Sequence, residues 1–296
     1  MAARQARDGG GKAFRQVSAA LRARMVDGTY QLGAELPAQG RLAKEFGVSR
    51  DTVQRVVREL GNEGWIESRQ GSPARVVKVQ RVQSTTAKAS RSRQVMMLGP
   101  LISEAFEQPE VSLDVFTLTS ESLDTHIRLQ AERIRAGAIA PGSIVVRLLL
   151  PDPQLDLPYP VIRQDRNDPR LRERLRAITD RHTESLRTAL RDLQAERLVP
   201  SVDFQIRHVR LVPAFKLYVI NRTEVLHALY EVIKRPIILD TGEEIDALDV
   251  LGLGAMLTHH VADADPNSSG SVFVLKMRSW FESVWDLLAS SSVDQR

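Results

Sequence analysis

LPAQGRLAKEFGVSRDTVQRVVRELGNEGWIESRQGSPARVVKV, residues Leu36 to Val79, decides the reading of the first part of this chain. Pro37 suits the start of a helix, where the N–H it lacks would be unpaired in any case. Leu42 and Phe46 then share one helical face, and Gly47 ends the helix as a residue that tolerates positive φ. Ser49 is placed to cap a second helix whose apolar positions are Val53, Val56, Val57 and Leu60. Gly64 stops it. Trp65-Ile66 and Val76-Val77 flank Gln70-Gly71-Ser72-Pro73, a turn-rich tip between two short strands. A leading helix from about Phe14 to Asp27 precedes the segment, with Val17, Leu21 and Met25 spaced by four and Gly28 closing it. Two helices joined by a tight turn, preceded by a helix and followed by a hairpin, predict a winged helix-turn-helix over residues 12–80.

Composition sets the wider frame. At 296 residues the chain has room for two domains. It contains no Cys, which excludes disulfides, thiolate chemistry and Cys-ligated zinc. No run approaches the 18 or so apolar residues of a membrane span, and MAARQARDGGGKAF lacks the apolar centre of a secretory signal. A cytoplasmic, nucleoid-associated protein without a membrane partner is the expectation. The net charge of +4 hides an asymmetry: residues 1–94 hold 18 Lys and Arg against 8 Asp and Glu, whereas residues 95–296 hold 23 against 29. A basic module joined to an acidic one suits a reader of phosphate-bearing DNA with a separate domain that stays off the duplex.

Gly33-Ala34-Glu35-Leu36-Pro37, Leu42-Ala43, Gly47-Val48-Ser49-Arg50-Asp51-Thr52-Val53 and Leu60-Gly61-Asn62-Glu63-Gly64 resemble the motifs of the gluconate-repressor (GntR) family of bacterial transcription regulators. The resemblance spans about residues 12 to 80. It implies a homodimer on an inverted-repeat, double-stranded DNA operator, since one winged domain makes too few base contacts for a genomic site. The recognition helix, Ser49 to Glu63, would be about 22 Å long. Its first turns would enter the major groove with Arg50 as the leading candidate for a guanine contact, followed by Gln54 and Arg55. Ser49 and Thr52 are candidates for phosphate. Gln39 and Arg41 would lie at the groove edge, and Gln70 and Gly71 at the wing tip would meet the minor groove or the backbone. Lys44, Arg58, Arg69 and Arg75 are phosphate neighbours or solvated charges. Many family members carry Arg where Gly40 and Gln54 stand here. Arg41 and Arg55 come one residue later, a rotation of about 100° around the helix, so an operator unlike the common family site is expected.

Residues 81–94, small, polar and basic, read as a linker. Beyond them, strand-like and helix-like stretches alternate across 95–290, predicting an α/β domain for ligand sensing and dimerisation. Val95–Leu98, Leu113–Leu118, Ser143–Leu150, Val202–Val212, Phe215–Ile220 and Ile237–Leu239 read as strands, and Val225–Ile233 as helix or strand. Helices are expected over 123–136, along the stripe Leu171, Leu175, Ile178, Leu186, Leu190 and Leu193, and over 271–288. The stripe is a candidate for core or for a dimer contact. The acidic run Asp240 to Asp249 reads as a solvated turn without calcium-loop spacing. His259-His260 should point apart and hold no metal.

None of the family's effector-domain branches is tied to these residues. The FadR-type domain is all-helical with an Asp and three His, a pattern that His126, His182, His208, His227, His259 and His260 do not form. The HutC-type domain is α/β but shares no motif with this chain. The aminotransferase-like branch needs a longer one. Pro213 to Asn221 resembles instead a degenerate phospholipase D signature, H-x-K-x4-D, with Lys216 in place but Ala214 at the nucleophile and Asn221 at the Asp. That resemblance implies a fold without catalysis and a pocket for an anionic or phosphorylated effector, built from Thr117, Thr119, Ser120, Lys216 and Asn221. No catalytic residue, metal or cofactor is implied. The alternatives are a DNA-targeted phosphodiesterase of the phospholipase D type and a dimeric repressor that senses nothing.

Overall fold

The computed structural model describes residues 13–14, 16–25, 29–31, 33–62, 65–67, 73–76, 81–84, 96–239, 241–252 and 255–291. The chain divides into two compact units, residues 1–79 with 237–244 and residues 80–236 with 245–296.

The first unit begins with a helix, α1, described over residues 16–25, followed by α2 (Gln39–Phe46) and α3 (Arg50–Asn62). Val17, Leu21 and Met25 of α1, Leu42 of α2 and Val53, Val56 and Leu60 of α3 are all at most 1% exposed, so three apolar stripes make one core. Gly47 takes the left-handed conformation between α2 and α3, with φ 64°. The wing is the antiparallel pair β1 (Ile66–Glu67) and β2 (Arg75–Val76). A third segment joins it: Gly33 and Leu36 donate to the carbonyls of Val76 and Ala74, and Val76 donates back to Ala34. The expected wing-tip residues Gln70 and Gly71 lie outside the described residues, as does Arg69.

The second unit is built on a nine-stranded mixed sheet. Its strands are β3 (Arg81–Ser84), β4 (Met96–Met97), β5 (Glu110–Phe116), β6 (Ser143–Pro151), β8 (Ser201–Val209), β9 (Phe215–Ile220), β10 (Glu224–Leu229), β13 (Leu257–Val261) and β14 (Ser290–Ser291). They run in the order β14-β8-β6-β5-β9-β10-β13-β3-β4. β5, β6 and β8 are parallel, and β9, β10 and β13 continue the sheet antiparallel beyond β5. A smaller sheet joins β7 (Val161–Ile162), β11 (Val232–Ile238) and β12 (Glu244–Val250). The helices α4 (Leu98–Phe106), α5 (Glu121–Arg135) and α6 (Arg170–Ala195) cover one face, and α7 (Ser269–Leu287) covers the other.

Alternation along the strands assigns the two faces. Leu113 and Val115 of β5 and Ile144, Val146 and Leu148 of β6 pack with Leu101, Ile127, Leu186 and Leu190 of the helix layer. Phe116 and Leu149 point the other way, to Phe281 and Trp285 of α7. Arg147 shares that second face. Its guanidinium makes paired bonds to Asp114 at 2.6 and 2.8 Å and to Glu282 at 2.9 and 2.7 Å. Burial opposes its charge, but the two carboxylates outweigh burial and hold its pKa above the ordinary value. The helix α7 crosses the sheet closely enough that a Cβ on Gly270 would stand 2.3 Å from the carbonyl oxygen of Val261.

Three expectations change, and the two open readings, of Val225–Ile233 and of the α6 stripe, resolve. Arg81–Ser84, read as linker, pairs in parallel with β13 and antiparallel with β4; free strand edges on both sides give even a polar segment backbone partners. Leu98 opens a helix rather than ending a strand. Val225–Ile233 is two strands broken at Tyr230, whose N–H turns to the Ala214 carbonyl. The acidic run is strand from Glu244 onward, because Ile245 and Ala247 are buried, and Asp240 lies outside the described residues. The stripe on α6 is internal core, with Leu186, Leu190 and Leu193 fully buried, so it offers no dimer contact. His259 and His260 diverge as expected: His259 meets Glu224 at 2.6 Å, while His260 stacks on Phe273 at 3.9 Å between ring centroids.

Two measurements follow from this packing. Gly270→Ala must push backbone apart and should cost on the order of 1–3 kcal/mol, whereas Gly252→Ala, with nothing within 4 Å, should be neutral; equal urea midpoints would refute the close approach. His126 on α5 is fully buried with an unpartnered Nδ1, and burial pushes its pKa down to about 3 from 6.5. The unfolded chain therefore takes up a proton that the folded chain refuses, and stability is lost as pH falls from about 6.5 towards 3. Between pH 7 and pH 5 this group should cost about 2 kcal/mol. His126→Leu should remove that part of the pH dependence, read from urea unfolding followed at Trp280 and Trp285 in a Trp65→Phe background.

Candidate functional site

The exposed face of α3 is set by its buried one. Thr52, Val53, Val56, Val57 and Leu60 turn inward, which leaves Arg50, Gln54 and Arg58, each four residues apart, as a solvent-facing stripe. Two devices hold the start of this helix. The Ser49 hydroxyl accepts the Thr52 N–H at 3.1 Å, and the two hydroxyls lie 2.9 Å apart. Both side chains, read in the sequence as phosphate candidates, are thus joined in a cap, and Thr52 is 8% exposed. Ser49 stays on the surface at the positive end of the helix, whereas Thr52 does not.

Arg50 is held from the other side. A Cβ on Gly40 would lie 2.7 Å from Nη2 of Arg50, so the guanidinium occupies the space that a side chain on α2 would fill. The glycine and the arginine are one feature, which motif spacing alone could not reveal. Arg55 stands away from the Arg50 stripe, with its guanidinium 5.3 Å from the centre of the Phe14 ring. Gln39 and Arg41 are exposed on α2, and so is Lys44. Arg75 pairs with Glu35 at 3.4 Å beside the wing.

In the second unit the residues proposed as an effector pocket divide. Lys216 is 3% exposed on β9, donates to the Gly252 carbonyl at 2.9 Å and lies 5.6 Å from the Tyr230 ring centre. Thr117 is its neighbour across the strands; its hydroxyl donates to the Thr119 carbonyl at 2.8 Å and lies 3.0 Å from the Tyr230 hydroxyl. Ser120 is fully buried before α5. Asn221 belongs to the opposite end of β9, where its Oδ1 accepts the Ser112 N–H at 2.9 Å and its Nδ2 donates to the Ala105 carbonyl. Five residue steps along the strand, about 16 Å, separate it from Lys216. The signature spacing H-x-K-x4-D therefore does not assemble a phosphate site here: the lysine is spent on a carbonyl and the asparagine locks a turn at φ 47°. Tyr230, which ties Thr117 to the Leu118 N–H at 2.9 Å, was hidden in a stretch that read as helix or strand. Among the described residues no group of His, Asp or Glu is arranged to hold a metal, and no helix is long and apolar enough to cross a membrane.

A capped recognition helix with a basic outer stripe, a glycine-tight turn and a β wing define a winged helix-turn-helix of the DNA-binding class. Residues 14–76 match the model of the bacterial regulatory proteins of the gntR family, and the first unit is a GntR-type module. The chain is 30% identical over 114 residues to the Glc operon transcriptional activator of Escherichia coli (strain K12), 38% of this chain and 37% of that protein. It is 39% identical over 64 residues to the Exu regulon transcriptional regulator of the same strain, 22% of this chain and 25% of that protein. The fatty acid metabolism regulator protein of Proteus mirabilis (strain HI4320) is 29% identical over 138 residues, 40% of this chain and 58% of that protein. The chain thus spans between a quarter and three fifths of these relatives.

Ser49→Ala removes the acceptor for the Thr52 N–H and should destabilise the first unit by about 1 kcal/mol. Ser49→Asp should restore most of the loss. A thermal transition of the first unit unchanged by Ser49→Ala would show that the cap contributes nothing.

Proposed function

We propose that the protein is a ligand-responsive transcriptional repressor in the cytoplasm that binds an inverted-repeat operator as a homodimer and has no enzymatic activity. One observation carries the DNA-reading part: Arg50, Gln54 and Arg58 form an exposed stripe at the start of a capped helix inside a GntR-type module. Arg50 reads guanine in the major groove, Gln54 reads the next base, and Gln39, Arg41, Ser49 and Arg55 flank the contact along the backbone. Gly40 gives Arg50 a rest position against α2, so the base-reading guanidinium is positioned before DNA arrives. Dimerisation follows from the small footprint of one winged domain, and the α/β unit supplies both the dimer contact and the switch. The enzyme alternative loses its support with Ala214 at the nucleophile position and Lys216 and Asn221 at opposite ends of β9.

The test is selection of binding sites from random duplexes, followed by anisotropy titration. Arg50→Ala should weaken the selected site roughly 5- to 150-fold and relax one base position. Lys44→Ala should weaken all duplexes alike and flatten the salt dependence. Equal affinity for selected and random DNA would overturn the reading, as would a selected site without two-fold symmetry for the dimer.

A further inference from the structure

The second unit contains a cavity of about 250 Å³ that lies outside the expected effector residues. It opens where the parallel strands β5, β6 and β8 end, the edge at which open α/β sheets bind ligands. Leu118, Leu150, Ile206 and Leu175 give it apolar walls, and the loop after β6 with one side of α6 closes it. Its volume falls below the roughly 300–1,000 Å³ typical of ligand pockets, which points to a small molecule.

The charges around it are unevenly satisfied. Arg172 donates to Asp156 and to the Asn167 carbonyl, both at 2.8 Å, Arg176 donates to the Pro153 carbonyl at 3.0 Å, and Arg187 lies 3.5 Å from Glu184 and near the Phe204 ring. All three arginines have partners away from the cavity's carboxylates. Asp152 is only 7% exposed, yet among the described residues its carboxylate is bonded by the Gln154 N–H alone, at 2.8 Å to Oδ1. Asp180, on the facing helix, makes no ion pair among the described residues. His208 lines the cavity with both: burial lowers its pKa, and the two carboxylates draw it partly back. A buried carboxylate without a cation is costly. Three arginines line the same space, and none pairs with it.

We propose that this cavity is the sensing site and that its ligand is a small, largely apolar molecule bearing a protonated amine, seated on Asp152 with Asp180 at the mouth. The inference rests on the reading of the protein as a ligand-responsive regulator and names the chemistry to which it responds.

Full-length protein is titrated by calorimetry with three probes of one shape: 2-phenylethylamine, 2-phenylethanol and 3-phenylpropionate. The amine should bind, the alcohol at least tenfold more weakly and the acid not at all. Asp152→Asn, which keeps the Oδ1 acceptor for Gln154, should reduce amine affinity at least tenfold. Thr183→Trp, which fills the cavity from α6, should abolish it while leaving the thermal midpoint of the free protein unchanged. Binding of the acid in preference to the amine, binding of none of the three, or amine binding untouched by both substitutions would each overturn the proposal. Anisotropy on the selected DNA site separates this from the parent reading. Intact site-specific DNA binding with no response to any probe removes only the amine site. Amine binding in a protein without site-specific DNA binding removes only the regulator.

Discussion

Parallel pairing of β5, β6 and β8 is the constraint from which most of the second unit follows. A hairpin cannot join parallel strands, so each step needs a crossover, and α5 and α6 supply it. The strands are added in one direction, from β5 to β6 to β8, and crossovers keep one hand, so both helices fall on the same face. That leaves the opposite face bare until α7 arrives at the end of the chain. It also stacks three strand ends along one edge, with the loop after β6 and the start of α6 above them. The position of the cavity is thus a result of connectivity before any side chain is considered.

The first unit works by a different economy. Its α3 is short and its inner face is wholly used by the core, so the outer face is free to carry the stripe of Arg50, Gln54 and Arg58. What the unit adds is restraint at the start of the helix. Ser49 closes one backbone donor, and the bare backbone at Gly40 accepts the Arg50 side chain. A long arginine loses much rotamer freedom when it is fixed on a base. A resting contact beside the helix removes part of that loss in advance. The glycine at position 40 is therefore tied to the placement of Arg50.

The first unit was legible because its signals are local. Gly47, Ser49 and the 3.6-residue spacing of valines dictate turn, cap and buried face within about fifteen residues, and no distant contact competes with them. In the second unit the strong apolar stretches were equally plain: Ser143–Leu150 and the α6 stripe have the period of their elements. The failures share a cause. Arg81–Ser84 is strand only because β13 and β4 offer edges, and the acidic run is strand from Glu244 onward only because Ile245 and Ala247 find a core. Neither fact is written in the segment concerned. The phospholipase D-like spacing failed for a related reason: sequence distance along a strand is distance in space, so Lys216 and Asn221 could meet only if another element folded one end onto the other.

The way this unit treats buried charge makes Asp152 informative. Arg147 is bracketed by Asp114 and Glu282, Lys216 is bonded to a carbonyl, and Asp124 meets His182 at 2.7 Å. Each of these charges was brought inside together with a partner from another element, the arrangement that keeps a buried ion from destabilising a fold. Asp152 follows Pro151 at the end of β6, and Arg172, Arg176 and Arg187 belong to the same cavity lining. Asp152 differs from these groups in facing a cavity, with its carboxylate bonded to the Gln154 N–H rather than to a partner from another element. A carboxylate turned towards a cavity departs from the pairing that holds Arg147 and Lys216, and such local departures are expected at functional sites.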